Sequence, residues 1–168
     1  FNTVWQSDGY GSSSQLSKWY PGDDYVDWMG YSHFDGKGDG ILSLARSKGK
    51  PVMIAEATPR FDLKTTEGNS AIQRWYAPFF SHIQKNADVI QAFSYINTNW
   101  DIQSMWAGQG WGDSRIHINE VVEEYWLAEL VKENYLHASD QLFSNLATPT
   151  KIDKKKEESP FTVSSNSD

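Results

Sequence analysis

Four stretches of this chain are apolar almost without interruption: Thr3–Gln6, Tyr25–Tyr31, Val52–Glu56 and Val89–Ile96. A strand with one wet face alternates apolar and polar residues, whereas a strand covered on both faces has no need to. The runs therefore predict a parallel sheet with cover on each side. Helical patterns lie between and after them. Gly40–Lys48 is short and amphipathic, and Ser70–Asn86 sets Ile72, Trp75, Phe79, Phe80 and Ile83 on one stripe. Asn119–Leu136 repeats the pattern with Val122, Trp126, Leu130 and Val131, while Gln15–Tyr20 reads as a short helix or a loop.

The order is thus strand, helix or loop, strand, helix, strand, helix, strand, helix. Right-handed crossovers lay such strands side by side. The strand-to-strand spacing suits a (β/α)8 barrel, but such barrels typically need about 250 residues. With 168 residues the chain holds four strands and not eight, so the expected fold class is α/β, half of a (β/α)8 TIM barrel. From about Lys151 the composition changes to KIDKKKEESPFTVSSNSD, charged and Ser-rich, which reads as a disordered tail. The expected division is a partial barrel over 1–147 and a tail or linker over 148–168. A half-barrel leaves two sheet edges unpaired, so poor solubility alone is expected.

Composition excludes several functions. A net charge of −7 argues against nucleic acid, whose binders present a basic face. No window reaches the roughly 18 apolar residues of a membrane span. Without cysteine there are no disulfides and no thiolate metal sites. Phe1 opens directly in a strand-like run, so any signal peptide is expected upstream of the residues given. Eight tryptophans, several in polar Gly-rich segments, suit flat and partly apolar ligands such as sugar rings.

The residues after each strand are polar or aromatic. They read Gln6-Ser7-Asp8-Gly9, then Tyr31-Ser32-His33-Phe34-Asp35-Gly36, then Glu56-Ala57-Thr58-Pro59-Arg60, then Asn97-Thr98-Asn99-Trp100-Asp101. The carboxyl ends of parallel strands form the ligand-binding edge of α/β folds. Glu56 ends the apolar run of KPVMIAEATP, where an ionised carboxylate is costly without partners. Rigidly held there, it suits a nucleophile or general base, with Tyr31 or Arg115 as neighbours able to tune it. The plainer alternative is a loop-capping Glu paired with Arg60. His33 is a candidate to orient a carboxylate or bind a sugar hydroxyl, and the absence of paired ligand motifs argues against a metal. His82, His117 and His137 read as surface or packing residues. Trp5, Trp100, Trp106 and Trp111 are candidate platforms for sugar faces, with Asp101 and Arg115 beside them, while Trp19, Trp28, Trp75 and Trp126 read as core. The Asp23-Asp24 pair reads as the start of a strand. Gly108 and Gly110 lack the strand–loop–helix context of a phosphate cradle, so no nucleotide is expected.

These segments resemble the C-terminal half of a retaining glycoside hydrolase of clan A, most nearly glycoside hydrolase family 26, which holds β-mannanases and β-1,3-xylanases. WYPGDDYVDWMGYS (Trp19–Ser32) resembles the run into that family's sixth strand, KPVMIAEATP its seventh and VIQAFSYINTNWD (Val89–Asp101) its eighth, with FNTVWQSDG as the fifth. The resemblance covers about residues 1–146 and implies strands 5–8 of the barrel. It implies that Glu56 is the nucleophile and Trp100 the floor of the sugar site, with no cofactor. The second carboxylate, the acid/base, would then lie in the missing N-terminal half of the barrel. The family often places Asp-x-Tyr after the sixth strand, its Tyr touching the nucleophile. Here those places read Ser32-His33-Phe34, so either Tyr31 takes that contact or the subsite differs. The implied activity is endo-hydrolysis of β-mannan or β-1,3-xylan by an enzyme secreted or periplasmic. The alternatives are a carbohydrate-binding protein without turnover and a complete small α/β domain.

Overall fold

The computed structural model of the protein describes residues 3–7, 9–35, 38–142 and 144. The chain divides into two compact units, Phe1–Lys132 and Glu133–Asp168. The tail expected at 148–168 lies outside the described residues. The first unit contains every strand and helix named below.

Its four strands are β1 (Val4–Ser7), β2 (Trp28–His33), β3 (Val52–Ala57) and β4 (Ile90–Tyr95). They pair in sequence order and all run parallel. Three of the four expected strands lie within a residue or two of their places. The second begins later than expected, because Gly22, at φ +117°, opens a turn in which the Tyr25 amide donates to the Gly22 carbonyl. Tyr25 is consequently exposed, and Asp23-Asp24 stand in this turn and not in a strand.

The crossovers carry α1 (Ser13–Leu16), α2 (Asp39–Lys48), α3 (Gly68–Ala71), a π-helical turn (Ile72–Tyr76), α4 (Ala77–Lys85) and, after β4, α5 (Glu120–Leu130). Each boundary has a local cause. Ser12 and Gln15 form a reciprocal capping box on α1. Gly49, at φ +63°, closes α2 in the left-handed conformation just ahead of Pro51. The Glu67 carboxylate accepts from the amides of Asn69 and Ser70 at the start of α3, and those bonds hold it below the usual carboxylate range. The sequence pattern predicts one helix over 70–86. The structure has a helical path interrupted by the π-helical turn, in which the Ala77 amide reaches back to the Ile72 carbonyl. Pro78 follows at once. A proline there can donate no hydrogen bond and crowds the carbonyl four residues earlier, a conflict the wider turn relieves. Helix α5 is capped by Asn119 and stops at Leu130, six residues short of the expected end, since Val131 and Leu136 are exposed and bury nothing.

The core lies between one face of the sheet and the helices. Met29, Tyr31, Val52 and Ile54 from the strands meet Ile41, Leu42, Phe79, Phe80, Ile83 and Val122, all of them buried. Trp75 belongs to this core, as expected, whereas Trp126 is half-buried and packs against the Phe80 and Tyr95 rings. Trp28 is half-buried, and Trp19 is a correction: it is 81% exposed. The other face of the sheet carries Val4, Gln6, Ser32, Met53 and Glu56, and among the described residues no helix covers it. The near-continuous apolar runs predict two covered faces, and the structure covers one. No described helix is long and apolar enough to cross a membrane.

Candidate active site

Strict alternation along β3 would send Glu56 to the same side as Val52 and Ile54, into the helix-packed core. The ladder prevents this. Tyr31 pairs with Ile54 but Ser32 pairs with Glu56, so Ala55 is an extra residue, a β-bulge. A bulge re-aims the side chains that follow it, and bulges gather at active sites. Here it turns Glu56 onto the open face, where it stays partly exposed.

Two neighbours hold it. The Ser32 hydroxyl donates to Glu56 Oε2 at 2.7 Å, and the Gln6 amide donates to the same oxygen at 3.4 Å and to Ser32 Oγ at 3.2 Å. Gln6, Ser32 and Glu56 thus form a row across three strands, leaving Oε1 of the carboxylate outside these bonds. Ser32 and Gln6 are absent from the residues singled out in the sequence. Their signal was present in the polar strand ends, but choosing among those needs the facing of each strand. Replacing Ser32 by Ala removes one charge-assisted hydrogen bond. The fold is expected to survive that change, checked by circular dichroism, because the bond lies on the open and partly exposed face.

Tyr31 is not a neighbour of Glu56. It is fully buried on the helix side, its hydroxyl 2.8 Å from His82 Nε2 and 3.3 Å from His33 Nδ1. One hydroxyl can donate to one ring and accept from the other, so the trio ties β2 to α4. His33 is correspondingly a core residue, 3% exposed, its ring 5.2 Å from that of Phe79. Burial pushes its pKa down to about 4, with the nearby His82 lowering it further and Asp35 opposing. Burial also lowers His82, against Asp39 and with Lys85. Burial thus favours the neutral form of both rings in the fold, whereas unfolded histidines bind protons below about 6.5. The stability that His33 holds in this way is complete above that value and is lost as pH falls through about 4, up to about 3 kcal/mol, and His82 acts in the same direction. Urea midpoints measured between pH 7 and pH 4 check this, and a His33→Asn variant should show a shallower decline.

Arg115 does not reach Glu56 either. It forks onto Asp113, Nη2 to Oδ2 at 2.6 Å and Nε to Oδ1 at 2.9 Å, and that fork holds Asp113 below the usual carboxylate range. Arg60 does not pair with Glu56 as the capping alternative requires, its carboxylate neighbour being Asp35 at 3.8 Å. Trp5 is registered against buried Met29, on the face away from Glu56, where it meets Tyr20 edge-on at 5.3 Å.

The three remaining tryptophans come together. The loop from Asn99 to Asp113 closes on itself through an antiparallel bridge between those two residues and a bond from the Trp100 amide to the Gly112 carbonyl. Trp100 and Trp111 stand at its two ends and Trp106 in its middle, with ring centroids 5.1 to 5.4 Å apart. It is a loop packed by its own side chains, a type that is often functional. Trp100 and Trp111 are mostly buried in it and Trp106 is half-exposed, while Ile102 and Met105 stand out at the tip. Gly112, at φ +72°, cannot be replaced cheaply, since a Cβ there would lie 2.5 Å from the Asp62 backbone. Asp101 and Arg115 line a cleft at the foot of this loop.

No family model matches the chain. It is 34% identical over 171 residues to a protein named beta-1,3-xylanase from Alcaligenes sp., covering 85% of this chain and 36% of that protein. Identity to beta-1,3-xylanase TXYA of Vibrio sp. is the same over the same length, covering 37% of that protein. The chain therefore spans little more than a third of the curated relatives it matches. Among solved structures it is similar to the catalytic domain of a Bacillus sp. GH26 endo-beta-1,4-mannanase, at 23% identity and a TM-score of 0.42, covering 73% of this chain and 37% of that one.

Proposed function

We propose that this chain is part of a retaining endo-β-glycanase of the glycoside hydrolase family 26 type, with β-1,3-xylan as its substrate and Glu56 as its nucleophile. The observation that supports this most is the bulge-directed Glu56, bonded through one oxygen to Ser32 and Gln6 and presented on the open sheet face. The names borne by its 34%-identical relatives favour xylan over mannan. Ser32 and Gln6 fix Oε2 and orient the carboxylate, and Oε1 attacks the anomeric carbon as the bond to the leaving oxygen breaks. A second carboxylate about 5 Å away protonates that oxygen, then deprotonates the water that hydrolyses the glycosyl-enzyme. We assign that group to four further strands that complete an eight-stranded barrel over the open face. The Trp100–Trp106–Trp111 loop would supply apolar surface to the bound glycan, and we place the enzyme outside the cytoplasm, with its polymer.

The test is hydrolysis by the full-length protein of β-1,3-xylan and β-mannan, with the anomer of the first-formed product read by NMR. Release of β-anomers from xylan supports the proposal. Release of α-anomers contradicts the double displacement, and binding without release points to a carbohydrate-binding protein.

A further inference from the structure

The chain has four arginines, and they fall into two pairs. Arg46 and Arg115 are forked onto carboxylates, with contacts of 2.7 and 2.8 Å to Asp88 and of 2.6 and 2.9 Å to Asp113. Arg60 and Arg74 are not. Each guanidinium instead lies 4.5 Å from an aromatic centroid, Arg60 over Trp111 and Arg74 over Phe61. Arg60 is 3.8 Å from Asp35, too far for a hydrogen bond, and Asp35 Oδ2 already accepts from the Tyr10 hydroxyl at 3.0 Å. Arg74 has no carboxylate partner among the described residues.

Both line the same cleft, of about 430 Å³, whose other walls are His33, Phe34, Asp35, Phe61, Trp75 and Pro78. Phe34 directly follows β2 and Arg60 comes shortly after β3, so the cleft belongs to the sheet edge that carries Glu56. The π-helical turn brings Arg74 and Trp75 to the cleft. Trp75 is fixed there by its indole N–H, which donates to the Phe34 carbonyl at 3.0 Å. Such turns occur frequently at functional sites. A guanidinium held over a ring by its face keeps its N–H fork for a planar acceptor. Two of them, with a single weakly engaged carboxylate, leave a local cationic excess in a chain of net charge −7. The apolar walls are suited to the C–H face of a sugar.

We propose that this cleft binds an oxyanion carried on a sugar ring, a uronate carboxylate or a sulfate ester, so that the enzyme's glycan bears acidic groups. This rests on the glycanase reading above, and the test separates the two. Binding is measured by calorimetry on the full-length protein with three ligands: a neutral β-1,3-xylo-oligosaccharide, the same with one glucuronate, and the same with one sulfate ester. At low salt at least one acidic ligand should bind about tenfold tighter than the neutral one, the better of the two identifying the group. The gain should shrink as salt rises. It should vanish in Arg74→Gln and be partly retained in Arg74→Lys, which keeps the charge but not the fork. Equal affinity for all three, no binding of any, or undiminished preference in Arg74→Gln would overturn the proposal. If Arg74→Gln does not fold, Arg74→Lys and the salt dependence carry the same decision. Absence of hydrolysis counts against the glycanase reading alone, since binding is what is read here.

Discussion

In the full-length protein, Glu56→Ala is expected to lower kcat/KM on β-1,3-xylan at least about a thousandfold, roughly 4 kcal/mol of transition-state stabilisation. The size follows from the role proposed for Glu56. A nucleophile forms a bond that nothing else in the site can form, so its loss forces a direct attack by water. A Glu that only braced the loop would cost far less, because its two hydrogen bonds come from half-exposed or exposed neighbours, Ser32 and Gln6, that water can satisfy. Adding azide should restore turnover of an activated aryl xyloside by Glu56→Ala and yield the α-glycosyl azide, since a small anion can enter the space the carboxylate leaves. A structural Glu predicts no such rescue.

The second large effect is on stability. Phe79 is fully buried, stacked on Trp75 at 4.7 Å and 13°, with Phe80 and Phe93 at 5.4 and 5.5 Å and His33 at 5.2 Å. It joins α4 to β2 and β4 at once, and rings on three sides limit how far the site can collapse. Phe79→Ala should therefore cost about 3–5 kcal/mol and lower Tm by about 10 °C or more. Domains of this kind have about 5–15 kcal/mol in total, so partial unfolding at ordinary temperature is within that range. Trp19→Ala, which removes a larger but exposed side chain, should change stability by no more than about 0.5 kcal/mol. Thermal melts of the two variants decide between burial and mere aromaticity as the source of stability.

That contrast shows where the sequence was legible. Apolar runs located the strands, because burial of a backbone segment leaves its mark on every residue of it. Helical stripes located α2, α4 and α5 for the same reason. Individual aromatic residues were harder: Trp19 and Trp75 both stand in mixed contexts, and one is bare while the other is core. Facing was harder still. Tyr31, Ser32 and His33 are consecutive, yet only Ser32 meets Glu56, since successive strand residues point to opposite sides. Glu56 defeats even that rule, because the bulge at Ala55 is set by pairing with β2 and has no signature in the residues themselves. The π-helical turn was announced only by Pro78, and the self-packed tryptophan loop by glycines whose left-handed conformations the sequence does not reveal.

The most direct measurement is a trapping experiment on the full-length protein. A 2-deoxy-2-fluoro xylobioside with an activated leaving group slows the second displacement and lets the glycosyl-enzyme accumulate. Peptide mass spectrometry should then find the sugar esterified to Glu56, within KPVMIAEATP, and no labelling in Glu56→Ala. A label on any other carboxylate, or steady turnover of the reagent with no labelled peptide, would contradict the assignment of Glu56 as nucleophile.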